Sequence, residues 1–194
     1  MKRVFDFLAS LAALFLLSPI IIVTAIFIKI SSPGPILFVQ HRAGKYGESF
    51  PIYKFRSMTH DVNRVESGIK IGDARITKIG HFIREWSIDE LPQLFNVLLG
   101  HMSLVGPRPL LLQYYDRYTP TQRERLDVKP GITGFQQVKG RYQVTWERKF
   151  AYDVHYVRNR SLCFDLKIML LTVKIILFRP EAAKSGGATY EFMG

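Results

Sequence analysis

The chain has 194 residues, with 27 Lys and Arg against 16 Asp and Glu, a net charge of +11 and one cysteine, Cys163. That length suits a single domain with room for a core, and one cysteine excludes an intrachain disulfide and points to a reducing compartment. The charge calls for a polyanionic partner: nucleic acid, anionic lipid or a phosphorylated substrate.

From Phe7 to Ile28, 22 consecutive residues carry no charge. As one helix this run would extend roughly 33 Å, enough to cross a bilayer. Lys2 and Arg3 precede it as in a signal peptide, but Lys29-Ile30-Ser31-Ser32-Pro33 follows in place of a small-x-small cleavage pattern, so the segment is read as retained. Ser18-Pro19 divides it into Phe7–Leu17 and Ile20–Ile28, because Pro19 removes a backbone donor and Ser18 can bond the freed carbonyls. A kinked spanning helix would satisfy that pattern. Charge favours a re-entrant hairpin over residues 1–30, since Lys2, Arg3 and the basic body beginning at Lys29 all prefer the cytoplasmic side.

Residues 31–194 are expected to form one membrane-associated cytoplasmic domain of α+β class, with a small β-hairpin and several amphipathic or interfacial helices. Ser31–Pro35 is a stiff turn, Ile36–Gln40 a strand, Ala43–Glu48 a hairpin loop and Phe50–Met58 a second strand. Alternation along that strand puts Lys54 and Arg56 on one face, as a solvated edge or a phosphate clamp. His60–Asp73 is polar, and Ala74–Trp86 carries Ile76, Ile79, Phe82 and Ile83 at amphipathic helical spacing.

Ser87-Ile88-Asp89-Glu90-Leu91-Pro92 is the stretch of most chemical interest. Pro92 belongs near a helix start, which would make Asp89 the N-cap and place Asp89 and Glu90 beside unpaired N–H groups at the positive end of a helix dipole. S-x-x-E from Ser87 to Glu90 also reads as a plain capping box. Downstream, Pro107-Arg108-Pro109 holds a guanidinium on a rigid support, as for bidentate phosphate binding or a structural carboxylate pair. Leu110–Tyr118 and Thr119–Leu126 read as short helices, and Val128–Gly134 as a turn-rich segment. Arg141, Arg148 and Lys149 continue the basic surface, interleaved with Tyr142, Trp146, Tyr152 and Tyr156, a pattern that serves base stacking or membrane-interface seating. Ser161–Phe178 is a core helix or an interfacial one with Lys167 and Lys174 snorkelling and Asp165 capping its start; the tail after Pro180 is Gly-rich. His41, His60, His81, His101 and His155 show no metal-ligand spacing, and phosphate-loop and dinucleotide fingerprints are lacking.

Taken in order, the Ser18-Pro19 break, Tyr53–Met58, Ser87–Leu94, Met102–Pro109, Pro130–Gly134 and the Lys149-Phe150…Asp153…Tyr156-Val157 run resemble the catalytic core of bacterial monotopic phosphoglycosyl transferases. The resemblance runs from about Lys2 to the tail, as in a small member without the N-terminal multi-helix domain of larger relatives. It implies transfer of a sugar 1-phosphate from a UDP-sugar to undecaprenyl phosphate, releasing UMP, through a covalent aspartyl-phosphosugar intermediate, as the first membrane step of surface glycan synthesis. It further implies Asp89 as nucleophile, Glu90 as its partner, Mg²⁺ held by Glu90 and Asp89, and Arg108 on substrate phosphate, with Lys54 and Arg56 as helpers. The setting would be the cytoplasmic face of the bacterial inner membrane, with the lipid bilayer as partner, a homodimer and downstream glycosyltransferases as candidate partners, and no nucleic acid. Phe135-Gln136 and Lys139 depart from the family's usual residues and would bear on nucleotide or sugar recognition. Two rival readings are a non-catalytic peripheral membrane scaffold and a nucleic-acid binder; the second leaves the apolar run unexplained.

Overall fold

A computed structural model of the chain describes residues 1–59, 75–140, 144–178 and 192. The polar stretch 60–73, Ala74, Arg141, Tyr142 and the Gly-rich tail after Pro180, apart from Phe192, lie outside the described residues. The class is α+β, as expected: helices pack around two small sheets.

Helix α1 (Lys2–Ser31) contains the apolar run, and its backbone stays helical through Ser18 and Pro19, so the expected interruption is not a break in secondary structure. The reason lies in the dipeptide itself. Pro19 cannot donate to the Phe15 carbonyl one turn earlier, and the Ser18 hydroxyl donates to that carbonyl instead, at 2.8 Å. Both ends of α1 are fastened to the rest of the molecule. At the first end Lys2 donates to Asp165 at 2.6 Å, Arg3 to the carbonyls of Val97 and Leu98, and buried Asp6 accepts from the Ser103 hydroxyl at 2.8 Å. At the other end Ile28 packs with Phe55 and Ile83. Between them Phe15 and Leu16 are 80% and 72% exposed, on a helix long and apolar enough to cross a membrane.

Strands β1 (Leu37–Ala43) and β2 (Ser49–Phe55) form an antiparallel hairpin in the register Leu37↔Phe55 to Ala43↔Ser49, closed by a 3₁₀ turn at Lys45–Gly47. Helix α2 (Lys78–Glu85) begins later than its apolar spacing suggested, because the Thr77 hydroxyl caps it by accepting from Gly80 N–H at 2.9 Å. Helix α3 (Gln93–Leu99) is tied to β2 by the buried Asn96 side chain, which accepts from Tyr53 N–H at 3.0 Å and donates to the Pro51 carbonyl at 2.7 Å. One amide thereby satisfies two edge groups of the hairpin and fixes the distance between helix and strand.

A second sheet was not foreseen. Strands β3 (Ser103–Val105) and β4 (Gly131–Thr133) pair in parallel, with Ser103 opposite Gly131 and Val105 opposite Thr133. Gly131 is required there, since a Cβ on it would lie 2.0 Å from Gly106 N. The segments 110–118 and 119–126 are a 3₁₀ helix at Leu112–Arg117, a short α4 (Pro120–Arg123) with a Thr119–Gln122 capping box, and a further 3₁₀ turn at Glu124–Leu126. Helices α5 (Phe135–Lys139), α6 (Trp146–Asn159) and α7 (Leu162–Phe178) complete the described chain.

Of the aromatics interleaved with the basic surface, Tyr142 lies outside the described residues, and the others pack in or against the core. Tyr118, Phe150 and Trp146 enclose Phe192, and Tyr156 packs with Val105, Val128 and Ile168. Asp165 is not a cap. The Ser161 hydroxyl accepts from Phe164 N–H at 3.1 Å, while Asp165 is buried, accepting from Lys2 and from the Tyr156 hydroxyl at 2.6 Å each.

Candidate active site

The corner between α2 and α3 holds the two adjacent carboxylates. Ser87 adopts φ 57°, a left-handed conformation that costs a non-glycine residue about 1–2 kcal/mol, and its side chain forms no cap. The capping box expected from S-x-x-E is therefore not built, and Asp89 is not an N-cap. Instead Ile88–Glu90 make a 3₁₀ turn, Leu91 and Pro92 continue it, and α3 starts at Gln93. Pro92 explains the offset: it has no N–H for an α-helical bond to Ile88, so that carbonyl accepts from Leu91 at 3.1 Å in 3₁₀ fashion.

Glu90 Oε1 accepts from Lys54 Nζ at 2.6 Å and from Arg108 Nη2 at 3.0 Å, converging three separate segments on one oxygen. Burial would lift the Glu90 carboxyl, but the charges of Lys54 and Arg108 outweigh it and hold the group down at about 2. Asp89 behaves oppositely. Burial and the adjacent Glu90 charge raise it to about 6 against the pull of Lys54, Arg84 and Arg108, and its carboxylate accepts no hydrogen bond among the described residues. Arg108 itself is raised by Glu90.

Arg108 projects from a loop held on both sides. Leu110 O accepts from Ala43 N–H at 3.0 Å, Pro107 O from Gly131 N–H at 3.0 Å, and Arg108 O from Arg125 Nη2 at 2.6 Å. Arg125 is buried, paired through Nε and Nη2 with Asp153 Oδ2 at 3.0 and 2.9 Å, and flanked by the Tyr118 and Phe150 rings. Sequence reasoning did not assign this pair. The available signal was Asp153 between Phe150 and Val154 on the buried face of α6, an acid that needs a cation.

Two more cations were not foreseen at the site. Arg42 is lowered to about 10 by burial and then by Arg108, and Lys149 is lowered by burial and then by Arg108. Lys54, Arg84 and Arg108 thus act on the two carboxylates, and Arg42 and Lys149 add positive charge beside Arg108, an excess suited to a diphosphate.

Of the residues singled out in the sequence, the structure brings Lys54, Asp89, Glu90 and Arg108 together. Arg56 is elsewhere: β2 ends at Phe55, and the buried guanidinium donates to the carbonyls of Pro33 and Ser32 at 2.7 and 2.8 Å, closing the end of α1. Phe135 packs edge-on against Tyr152 and Phe164 in the core, Gln136 is half-buried on α5 and Lys139 is exposed. No set of three or more potential metal ligands occurs among the described residues.

The geometry agrees with what sequence comparison finds. A model of the bacterial sugar transferase family matches residues 1–179. An uncharacterised sugar transferase, EpsL, of Bacillus subtilis is 45% identical over 191 residues, covering 98% of this chain and 94% of the relative. A UDP-N-acetylgalactosamine-undecaprenyl-phosphate N-acetylgalactosaminephosphotransferase of Aeromonas hydrophila is 43% identical over 185 residues, 91% of this chain and 43% of the relative. An undecaprenyl-phosphate galactose phosphotransferase of Salmonella typhimurium is 40% identical over 199 residues, 94% of this chain and 41% of the relative. The chain therefore spans less than half the length of those two relatives. With the ordered motifs, the carboxylate corner and these matches in agreement, the chain belongs to the bacterial sugar transferase family.

Proposed function

We propose that the chain is a phosphoglycosyl transferase that moves a sugar 1-phosphate from a UDP-sugar to undecaprenyl phosphate, giving UMP and a polyprenyl diphosphosugar. The carrying observation is the asymmetric carboxylate pair: Glu90 committed to Lys54 and Arg108, and Asp89 raised and unbonded beside it. In the first displacement an Asp89 oxygen forms a bond to the β-phosphorus and the bond from that phosphorus to UMP breaks. In the second, a phosphate oxygen of undecaprenyl phosphate attacks the same phosphorus and the Asp89 carboxylate leaves. Splitting the transfer lets the bulky lipid phosphate arrive after UMP departs. Arg108 and Lys54 offset the repulsion between Asp89 and the diphosphate, and the further cations around Arg108 add to that field.

The donor set fits Mg²⁺, which is usually bound by one or two carboxylates together with substrate phosphates and water. Asp89 and the Glu90 oxygen Oε2 accept no protein hydrogen bond among the described residues and would hold the ion. Bound there, Mg²⁺ supplies charge neutralisation to the diphosphate.

The membrane reading is a re-entrant α1 seated from the cytoplasmic face of the inner membrane. Its support is that Lys2, Arg3 and Asp6 at one end and Ile28 at the other are fastened to the same body while Phe15 and Leu16 face outward. A periplasmically labelled cysteine at the N-terminus, in a Cys163→Ser background, would refute this topology.

The test of function is UMP release by purified protein with Mg²⁺, undecaprenyl phosphate and a panel of UDP-sugars, beside Asp89→Asn. Release with a sugar of the panel, lost in the variant and with EDTA, is the expected result. Mass spectrometry of protein given the same UDP-sugar without acceptor should show a phosphosugar adduct, absent from Asp89→Asn. A folded, membrane-bound protein that releases no UMP across the panel would leave the scaffold reading instead.

A further inference from the structure

At the far end of α3 from the carboxylate corner, a second group of cations converges without a carboxylate of its own. Gly100 ends α3 with φ 88°, and a carbon built on it would meet Arg3 Nη2 at 3.3 Å and Lys129 Nζ at 3.5 Å. Two positive groups from distant parts of the chain therefore point into the space that the missing side chain leaves. Arg3 spends two donors on the Val97 and Leu98 carbonyls and retains others. Lys129 has neither a hydrogen bond nor an ion pair among the described residues. Burial, then Arg3, then Lys45 hold its ammonium below the usual lysine range, with Asp6 opposing. Asp6 cannot neutralise the group, because its carboxylate is buried and occupied by Ser103, the Leu104 N–H and Lys2.

The surroundings of this cluster are apolar. The Arg3 guanidinium lies 6.0 Å from the Phe7 ring, and Val4, Phe7, Leu8 and Leu11 on α1 and Phe95 and Leu99 on α3 are all exposed. A phosphate here would be held by the cations while its hydrocarbon lay along α1, a combination that a water-soluble anion does not exploit. We propose that Arg3 and Lys129 form a headgroup site for an anionic phospholipid, at the base of α1 and separate from the Asp89–Glu90 corner. The proposal rests on the membrane seating of α1 argued above.

The test begins with flotation of the purified protein on phosphatidylcholine vesicles; failure to float refutes the membrane seating itself. Native mass spectrometry from micelles holding equal amounts of phosphatidylglycerol and phosphatidylcholine then reads the preference. Wild type should retain phosphatidylglycerol in clear excess; Lys129→Gln should lower that excess about fivefold, as expected for about 1 kcal/mol per basic residue, and Lys129→Glu should lower it further. Circular dichroism confirms that each variant is folded. A protein that floats but retains the two lipids equally, or variants that match wild type, would overturn the headgroup site while leaving the membrane seating intact. Displacement of the lipid by inorganic phosphate at equal concentration would also overturn it, since the site would then recognise a free anion.

Discussion

Asp89→Asn should stabilise the protein while abolishing transfer, and the gain should depend on pH. The Asp89 carboxyl ionises near 3.8 when unfolded and at about 6 in the folded corner, raised by burial and then by Glu90. A raised acid is harder to ionise in the folded state, so above about pH 6 the fold bears that cost in full, up to about 3 kcal/mol. As pH falls from about 6 towards 3.8 both states become protonated and the cost disappears. Asparagine removes the charge and therefore the cost. The coupling to Glu90 reduces the expected gain to about 1–3 kcal/mol, or several degrees in Tm for a chain of this size. Thermal unfolding of both proteins in the same micelle at about pH 8, 5 and 4 reads it directly: the gain should be largest at pH 8, about half at pH 5 and nearly gone at pH 4. A variant no more stable than wild type at pH 8, or a gain undiminished at pH 4, would refute the electrostatic reading of the corner.

Three further outcomes are expected. Arg108→Ala should lower UMP release at least a hundredfold, consistent with the loss of one preorganised charge at a reacting phosphate, with the protein still folded and only a modest fall in Tm, because Glu90 keeps Lys54 and the Arg108 side chain is 45% exposed; near-wild-type turnover would remove Arg108 from its assigned role. Arg56→Met should behave oppositely, lowering stability by about 2–4 kcal/mol by stripping the carbonyls of Ser32 and Pro33 of their donor, and a folded variant with full Tm and no transfer would restore Arg56 to the phosphate site. Arg125→Met should cost about 3–5 kcal/mol because it leaves Asp153 buried without its cation; unchanged unfolding would show that the pair does not carry the Arg108 loop.

Adjacent acids before a proline and an arginine between two prolines marked the carboxylate corner and Arg108 in the sequence, but the local pattern read equally as a helix cap and a structural ion pair, and only the ordered set of motifs pointed to chemistry there. The hairpin was legible locally, through alternation and a turn. What failed depended on partners distant in sequence. Strands β3 and β4 have three residues each and pair in parallel across a gap of more than twenty residues, too short for periodicity to register and without a connecting turn to betray them. Arg56 was placed with Lys54 by alternation, but alternation ends where the strand ends, and α1 supplies the carbonyls that draw the guanidinium inward. Ser87–Glu90 satisfies a capping pattern yet forms a left-handed corner, since Pro92 withholds the N–H that an α-helical start would use.

The corner's position follows from α1 more than from its own residues. It is the connection between α2 and α3, and each of those helices is held by a different end of α1: Ile83 of α2 packs on Ile28, and the last carbonyls of α3 accept from Arg3. Lys54 and Arg108 then meet Glu90 from two further directions, the first fixed to α3 through Asn96 and the second through Arg125 and Gly131. With α1 seated in a bilayer as proposed, the height of Asp89 above the headgroups is set from both sides by contacts that involve none of the residues assigned to the reaction. In the proposed reaction a water-soluble nucleotide sugar and a lipid phosphate then reach one carboxylate in turn, at a depth that neither substrate has to establish.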